Sequence, residues 1–487
     1  MASPTTAFPA WQRDFALLAL SAFAAFALPL LSLSVLNDGD TNWHVATGQW
    51  ILAHRGIPAT DPFSFAAVGR PWVTHEWLSE VLMALAYAAA GWNGVRVLTA
   101  IAATAAALLM ANHVRREVGW VTGAAILTLS FWVLGSHVQA RPHLIALPIL
   151  ILWTLELMRA RAADRTPALW LLPVMALWAN LHGSFVFGLA FTGFFALEAF
   201  FAAQGRRVRV ALKWGGFLAA CLAMALITPN GFDGMVYPLK VMAMPHLQAI
   251  SEWRPANFGK FNPVEVALFA TLAAGFYFGV RIAAVRLALL LLLLHMTLQH
   301  LRQEIVLAAV GPLLLAAPFG RALGAPSYPP VDWPPLRELA APVAVIAAIL
   351  LGLAGWRLTR PDARRDATNA PVSALNHVPA SLRGKPVFND YGFGGWLIFN
   401  GVKPFIDGRS DMYGDDHLKT YLDVDSATPK TVDTVFSRYG IQWVIVRPNS
   451  GLLRVLDATP GWRRLYADRW AVVEARDIAT DNRPESN

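Results

Sequence analysis

Residues 15–44, FALLALSAFAAFALPLLSLSVLNDGDTNWH, decide how the whole chain is read. The first part, 15–36, carries no charged side chain, and as a helix rising ~1.5 Å per residue it is roughly 33 Å long, enough for a hydrocarbon core of ~30 Å. No small-residue cleavage signal follows, and the h-region of a secretory signal is shorter, ~7–15 residues, so a retained span is expected rather than a removed leader. Directly after the span come two carboxylates two positions apart, in Asn37-Asp38-Gly39-Asp40-Thr41-Asn42-Trp43-His44.

Apolar runs recur along most of the remaining chain, near 77–112, 119–136, 144–158, 168–180, 185–203, 214–228, 263–280, 285–299, 303–320 and 340–357. They predict about ten to twelve helices by hydropathy and length. The composition agrees: of 487 residues 56% are hydrophobic and 15% charged, which sets the chain apart from ordinary soluble domains. The excess of 40 Lys and Arg over 32 Asp and Glu falls in short basic loops, so the net charge of +8 reads as topology and no nucleic-acid partner is expected. A single cysteine, Cys221, lies in an apolar run and excludes an internal disulfide framework.

The basic connections Arg115/Arg116, Arg159/Arg161/Arg165, Arg206/Arg207/Arg209/Lys213 and Arg281/Arg286 belong on the cytoplasmic side by the positive-inside rule. Alternation then puts 37–76, 137–143, 180–184, 229–262, the turn around His300 and everything after Trp356 outside. The Arg115/Arg116 loop stays inside if 77–112 makes one crossing near 95–112, preceded by an interfacial or re-entrant helix starting at His75. Two short crossings are the alternative.

After residue 360 the pattern becomes that of a soluble domain. PVFND, KPFIDGR, IQWVIVRP and RWAVVEAR read as short buried strands, with DDHLKTYLDV, TVDTVFSRYG and SGLLRVLDA as helices between them. The expected architecture is an α-helical polytopic membrane protein, 1–360, with a small C-terminal extracytoplasmic α/β domain, 361–487. Pro361 to Arg365 form its linker, and a disordered tail is expected at 481–487.

The polar residues gather on the outward side. At the start of the first loop Asp40 or Thr41 is a candidate N-cap, and Trp43, Ala46, Thr47, Trp50, Ile51 and His54 fall on one stripe of a helix lying along the membrane surface. Asp38 and Asp40 are the candidate catalytic acids, because an acceptor hydroxyl needs a base for its proton; alternatively one caps the helix and the other is solvated. Farther along, Glu76 and Glu80 share a helix face, as do His75 and Ser79, and such groups enter an apolar run at a cost unless they line a wet cavity.

Seven of the twelve histidines, His44, His75, His137, His143, His182, His295 and His300, map to the same side. Arg141 and Arg302 are suited to a phosphate or diphosphate leaving group, with headgroup anchoring as the other reading. Glu252, Trp253 and Arg254 in the 229–262 loop are material for sugar contacts. No metal signature is present, since His75-Glu76 does not continue as HExxH; no cofactor is expected, and Asp38 with Asp40 is the one pair offering oxygens to a divalent cation.

An Asp-x-Asp in the first outward loop, an amphipathic helix behind it, a Pro-rich return and many further spans resemble the GT-C membrane glycosyltransferases, the superfamily of protein mannosyltransferases and lipid A aminoarabinose transferases. The architecture is similar over about the first 320 residues. DGDTNWH, DPFS, HEWLSE, ARPH, NLHGS and SEWRP, with NDYGFGGWLIFNG and FIDGRSDMY near the C-terminus, look like a bacterial subgroup of uncharacterised proteins of this kind.

The resemblance implies a polyprenyl-phosphate-linked sugar donor and inverting transfer to a periplasmic acceptor (glycan, lipid or protein). It also implies a bacterial inner-membrane location with the active site and C-terminal domain periplasmic, and a first-loop base, Asp38 or Asp40. This chain has Asp-Gly-Asp where the mannosyltransferases have adjacent acids, so the choice between the two stays open. A flippase for a lipid-linked saccharide and a non-catalytic assembly partner are the competing readings. The mid-span positions are mostly Ala, Leu, Val and Phe, which counts against the flippase. At the strand ends of the C-terminal domain, Asp407 and Arg409 read either as ligand groups or as an internal ion pair.

Overall fold

Where water is absent, every backbone N–H and C=O must find its partner within the protein, and the apolar runs satisfy this as helices. The computed structural model describes residues 9–324, 333–361, 364–426 and 428–477. Among them seven helices have the length and composition to cross a membrane: Ala10–Leu31, Trp77–Glu117, Pro142–Ala162, Phe185–Ala202, Arg207–Ala225, Leu301–Ala322 and Arg337–Leu358. Trp120–Gly135, Leu171–Leu181, Pro263–Tyr277 and Ala284–Gln299 are shorter apolar helices. The expected tail at 481–487 and part of the 361–365 linker lie outside the described residues.

The chain divides into two units, and the division departs from a cut at residue 360. One unit contains residues 1–32, 93–238 and 248–360; the other gathers 33–92 and 239–247 with 361–487. The first loop, expected within the transmembrane domain, thus packs with the C-terminal segment, for reasons of close glycine packing given below.

In the helical unit the core is built on large side chains shared between helices. Trp153, Trp178, Phe185, Phe191 and Phe195 are fully or almost fully buried, and the Trp153 indole donates to the Gly188 carbonyl at 3.0 Å. The buried charged residues named here have partners, as burial requires: Arg115 donates to Asp14 at 2.7 Å, and Arg96 to the Pro29 carbonyl at 3.1 Å. The basic loops are tied to one another, with Arg206 on Asp164 at 2.8 Å, Arg165 on Glu156 at 2.6 Å and Arg286 on both oxygens of Glu198 at 3.0 and 3.1 Å. The 229–262 segment, read from sequence as a loop, contains the helix Gly231–Met242 and two 3-10 turns, Pro245–Ala249 and Ser251–Trp253.

Helix Trp77–Glu117 breaks at Ala90 (φ −155°, ψ 32°) and Gly91 (φ 57°, ψ −148°). The part after the break is roughly 39 Å long at ~1.5 Å per residue, enough for one crossing ending at Arg115 and Arg116. The part before it belongs to the other unit and starts at Trp77, two residues later than the sequence suggested, leaving His75 and Glu76 ahead of the helix.

The second unit is built on a four-stranded sheet of order β1-β2-β4-β3, where β1 is Val387–Asn389, β2 Trp443–Val446, β3 Trp462–Ala467 and β4 Val472–Arg476. β1 runs parallel to β2, and the other pairings are antiparallel. Three of the four expected strand segments contain these strands. KPFIDGR is not one of them, because the Asn389 side chain takes over its backbone: Asn389 Oδ1 accepts from Phe405 N and its Nδ2 donates to the Ile406 carbonyl, both at 2.8 Å. β3 went unread because it is a half-exposed edge strand rather than a buried run.

Candidate active site

The first-loop acids sit at the start of helix Gly39–His54, and the N-cap is Asp38, not Asp40 or Thr41 as expected. Its Oδ2 accepts from the backbone N–H of Asp40 and of Thr41, both at 3.1 Å, and from the Thr41 hydroxyl at 3.3 Å. Asp38 is the better cap because its extended backbone (φ −122°, ψ 140°) aims the carboxylate back at the orphan amides of the first turn. Asp40 then lies inside that turn, half-buried, where Oδ1 accepts from the Trp43 indole at 3.0 Å.

This helix does not lie on a surface by one stripe. Every residue from Thr41 to Gly48 is buried, because the helix packs along Gly394–Phe399 of the C-terminal segment. The approach is so close that a Cβ on Gly395 would stand 2.0 Å from the Gly39 carbonyl oxygen, and one on Gly408 would stand 1.7 Å from Asp40 Oδ1. The glycines of NDYGFGGW and IDGRS therefore hold the acid-bearing turn in place, a role that sequence reading missed; its signal was the density of glycine in both segments.

Below the turn lies a chain of titratable groups. Buried His44 has Nδ1 3.2 Å from Glu80 Oε1 and Nε2 3.8 Å from Glu76 Oε2, and His75 Nε2 is 3.5 Å from Glu76 Oε1. Burial disfavours the charged form of His75, but Glu76 beside it and Asp411 nearby outweigh this and raise its pKa above the usual 6.5. Glu80 Oε2 is buried and accepts no hydrogen bond among the described residues.

Asp407 and Arg409 form an internal ion pair, which removes them as ligand groups. Arg409, 1% exposed, donates to Asp407 at 2.8 and 2.7 Å and to Asp61 at 2.7 Å, and lies over the rings of Trp72 and Phe63 at 4.8 and 5.3 Å. Burial opposes its charge, yet Asp407, Tyr413 and Asp61 raise its pKa well above the ordinary arginine value. Asp61 in turn accepts from the amides of Phe63 and Ser64 at 3.0 and 3.1 Å and from the Ser64 hydroxyl. The first-loop return is thereby fixed to the C-terminal segment by a charge that unpaired burial would make costly.

A second cluster lies in the helical unit. Arg141 caps helix Pro142–Ala162 and donates to Glu252 Oε2 at 2.7 Å; Arg302, in the turn before helix Glu304–Ala322, donates to Glu252 Oε1 at 3.3 Å. Burial would raise the Glu252 pKa, but the two guanidiniums hold it down at about 2. Arg141 and Arg302, expected as open phosphate ligands, share one carboxylate, which leaves the trio with a positive excess. Arg302 also lies 4.5 Å over Trp253, and His300 Nδ1 is 2.9 Å from the Trp253 carbonyl.

The rings of His143 and His182 are 6.2 Å apart in the same unit, and His182 Nδ1 accepts from Ser184 N at 3.0 Å. His137 is 2.8 Å from Glu304, which also accepts from Asn262. Arg254 is exposed and donates to the carbonyls of Gln248 and Ala249 in its own loop at 3.3 and 3.0 Å. The structure thus gathers Asp38, Asp40, His44, His75 and Glu76 in one unit, and Arg141, His143, His182, Glu252, His300 and Arg302 in the other.

No family model and no curated protein sequence matches the chain. Solved structures do. The oligosaccharyltransferase AglB of Archaeoglobus fulgidus, in complex with an inhibitory peptide and a dolichol-phosphate, aligns with TM-score 0.52 at 12% identity over 96% of this chain and 74% of that one. The apo form of the Archaeoglobus fulgidus oligosaccharyltransferase gives 0.51 at 11% over 89% and 69%. ArnT from Cupriavidus metallidurans, bound to undecaprenyl phosphate, gives 0.51 at 14% over 97% and 99%. With seven helices among the described residues long and apolar enough to cross a bilayer, and a fold shared with the AglB and ArnT structures, the chain is a multi-pass membrane protein.

Proposed function

We propose, from the premise that this chain has the GT-C fold of membrane glycosyltransferases, that it transfers a sugar from a polyprenyl-phosphate-linked donor to an extracytoplasmic acceptor. The observation that carries the reading is that the AglB and ArnT structures, which match 96% and 97% of the chain, both hold a polyprenyl phosphate. The acceptor is a periplasmic glycan, lipid or protein, and the location is the bacterial inner membrane with the first loop outside.

An acceptor oxygen attacks the anomeric carbon from the face opposite the lipid phosphate, the bond to that phosphate breaks with its electron pair on the phosphate, and the configuration inverts. The acceptor proton passes to Asp40, while Asp38 holds the helix start that carries it. Within the helical unit, Arg141 and Arg302, both fixed by Glu252, keep an excess of positive charge suited to a phosphate.

The test is transfer by the full chain in proteoliposomes, supplied with a panel of polyprenyl-phosphate sugars and assayed with and without chelator. Asp40→Asn is expected to lower turnover at least ~100-fold, the scale of lost general-base catalysis. Asp38→Ala is expected to lower thermal stability, by about 1 kcal/mol for the lost cap, while retaining measurable transfer. Full transfer by Asp40→Asn, or none by the wild type from any donor, sinks the reading.

A further inference from the structure

Four arginines from four helices meet at one cavity of the helical unit, away from every residue given a role above. Arg116 is in the last turn of Trp77–Glu117, Arg159 in the last turn of Pro142–Ala162, Arg286 near the start of Ala284–Gln299 and Arg321 in the last turn of Glu304–Ala322. Together they line a cavity of about 420 Å³ in which, among the described residues, Glu117 is the only carboxylate. The rest of the wall is largely apolar, with Leu109, Leu155 and Met158 on it.

The charge here is only partly answered. Arg286 is taken by Glu198, and the carboxylate nearest Arg159, Glu156 at 3.7 Å, is held more closely by Arg165 at 2.6 Å. Arg116 and Arg321 make no ion pair or hydrogen bond among the described residues. Arginines that only set topology need not converge, whereas these four leave a concave, positively charged pocket with an apolar wall. Depth in the membrane follows from the helices themselves: Arg141 and Arg159 sit at opposite ends of one helix, ~27 Å apart at ~1.5 Å per residue, close to the ~30 Å of a hydrocarbon core. The cavity therefore lies at headgroup depth in the leaflet opposite the Arg141/Glu252/Arg302 cluster.

We propose that this cavity binds the phosphate of an anionic membrane phospholipid, with the guanidiniums on the phosphate oxygens and the first acyl methylenes along Leu109, Leu155 and Met158. The inference is independent of the transferase reading.

The experiment measures lipid retained by the purified full chain, by native mass spectrometry, and its thermal stability in mixed micelles containing phosphatidylglycerol, phosphatidylcholine of the same chain length, or phosphatidylcholine plus inorganic phosphate. Phosphatidylglycerol is expected to be retained preferentially and to raise Tm above the phosphatidylcholine baseline. Arg116→Gln with Arg321→Gln is expected to weaken retention about 25-fold, about fivefold for each arginine at ~1 kcal/mol per basic residue. Arg116→Lys with Arg321→Lys, which keeps the charge, retains most of it, and reading each variant against its own phosphatidylcholine baseline separates binding from folding. Equal retention of the two lipids, or an unchanged phosphatidylglycerol preference in the glutamine variant, overturns the proposal. Stabilisation by inorganic phosphate as large as that by phosphatidylglycerol overturns the lipid assignment in favour of a soluble phosphate.

Discussion

His75 couples the first loop to pH. Its folded pKa is raised above 6.5, so the stability it contributes is fully present below the unfolded value and is lost as pH rises through the folded one. Warming the full chain at about pH 6 and about pH 9 should show a drop in Tm that is smaller in His75→Gln, since that variant has no proton to lose at this position. Equal drops would mean that His75 does not titrate against Glu76. At this scale the sequence disclosed which residue types were present and not what each was used for. The Asp-Gly-Asp spacing announced a helix start with two acids, but the capping role of Asp38 depends on a backbone angle that composition does not carry. Arg141 and Arg302 were legible as cations near an outward turn, whereas their common partner Glu252 lies about a hundred residues from one and fifty from the other.

Helix Gly39–His54 and the glycine-bearing turns beneath it make two opposite expectations. A Cβ on Gly408 meets the far end of the Asp40 side chain at 1.7 Å and the Trp43 indole nitrogen at 3.0 Å; the carboxylate can swing away, so Gly408→Ala should cost turnover more than stability, because the acid leaves its position. A Cβ on Gly395 meets the Gly39 backbone at 2.0 Å, which cannot swing away, so Gly395→Ala should lower Tm outright. Measuring turnover and Tm on both variants checks the pair; a Gly408→Ala protein with wild-type turnover would show that Asp40 does not need this support. The amphipathic stripe suggested a helix half in contact with a membrane surface. Its second buried face could not be foreseen, since that face is made by a segment more than three hundred residues later.

For the molecule as a whole, residues 33–92 and 361–487 belong to one folded unit. The segment 361–487 expressed alone would expose Trp396 and the glycine face that Gly39–His54 covers, and would leave Asp407 and Arg409 without Asp61. It is expected to be cut by protease at a low dose at which the same segment in the intact chain survives, and supplying 33–92 in the same chain should restore resistance. Resistance of the isolated segment would show that its own sheet suffices.

The sequence by itself determined the helical membrane class, the approximate spans, the gathering of polar residues at particular turns and the α/β character of the C-terminal segment. These follow from local chemistry: hydrophobic length, charge at helix ends and the two periodicities of helix and strand are written in neighbouring residues. The tertiary structure decided which acid caps and which remains in the first turn, that Asp407 and Arg409 are internal, that Glu252 unites two arginines, and that four basic helix ends share one cavity. Each of those rests on atoms brought within a few ångströms from distant parts of the chain, where burial and Coulomb attraction act on distance in space and not on separation in sequence.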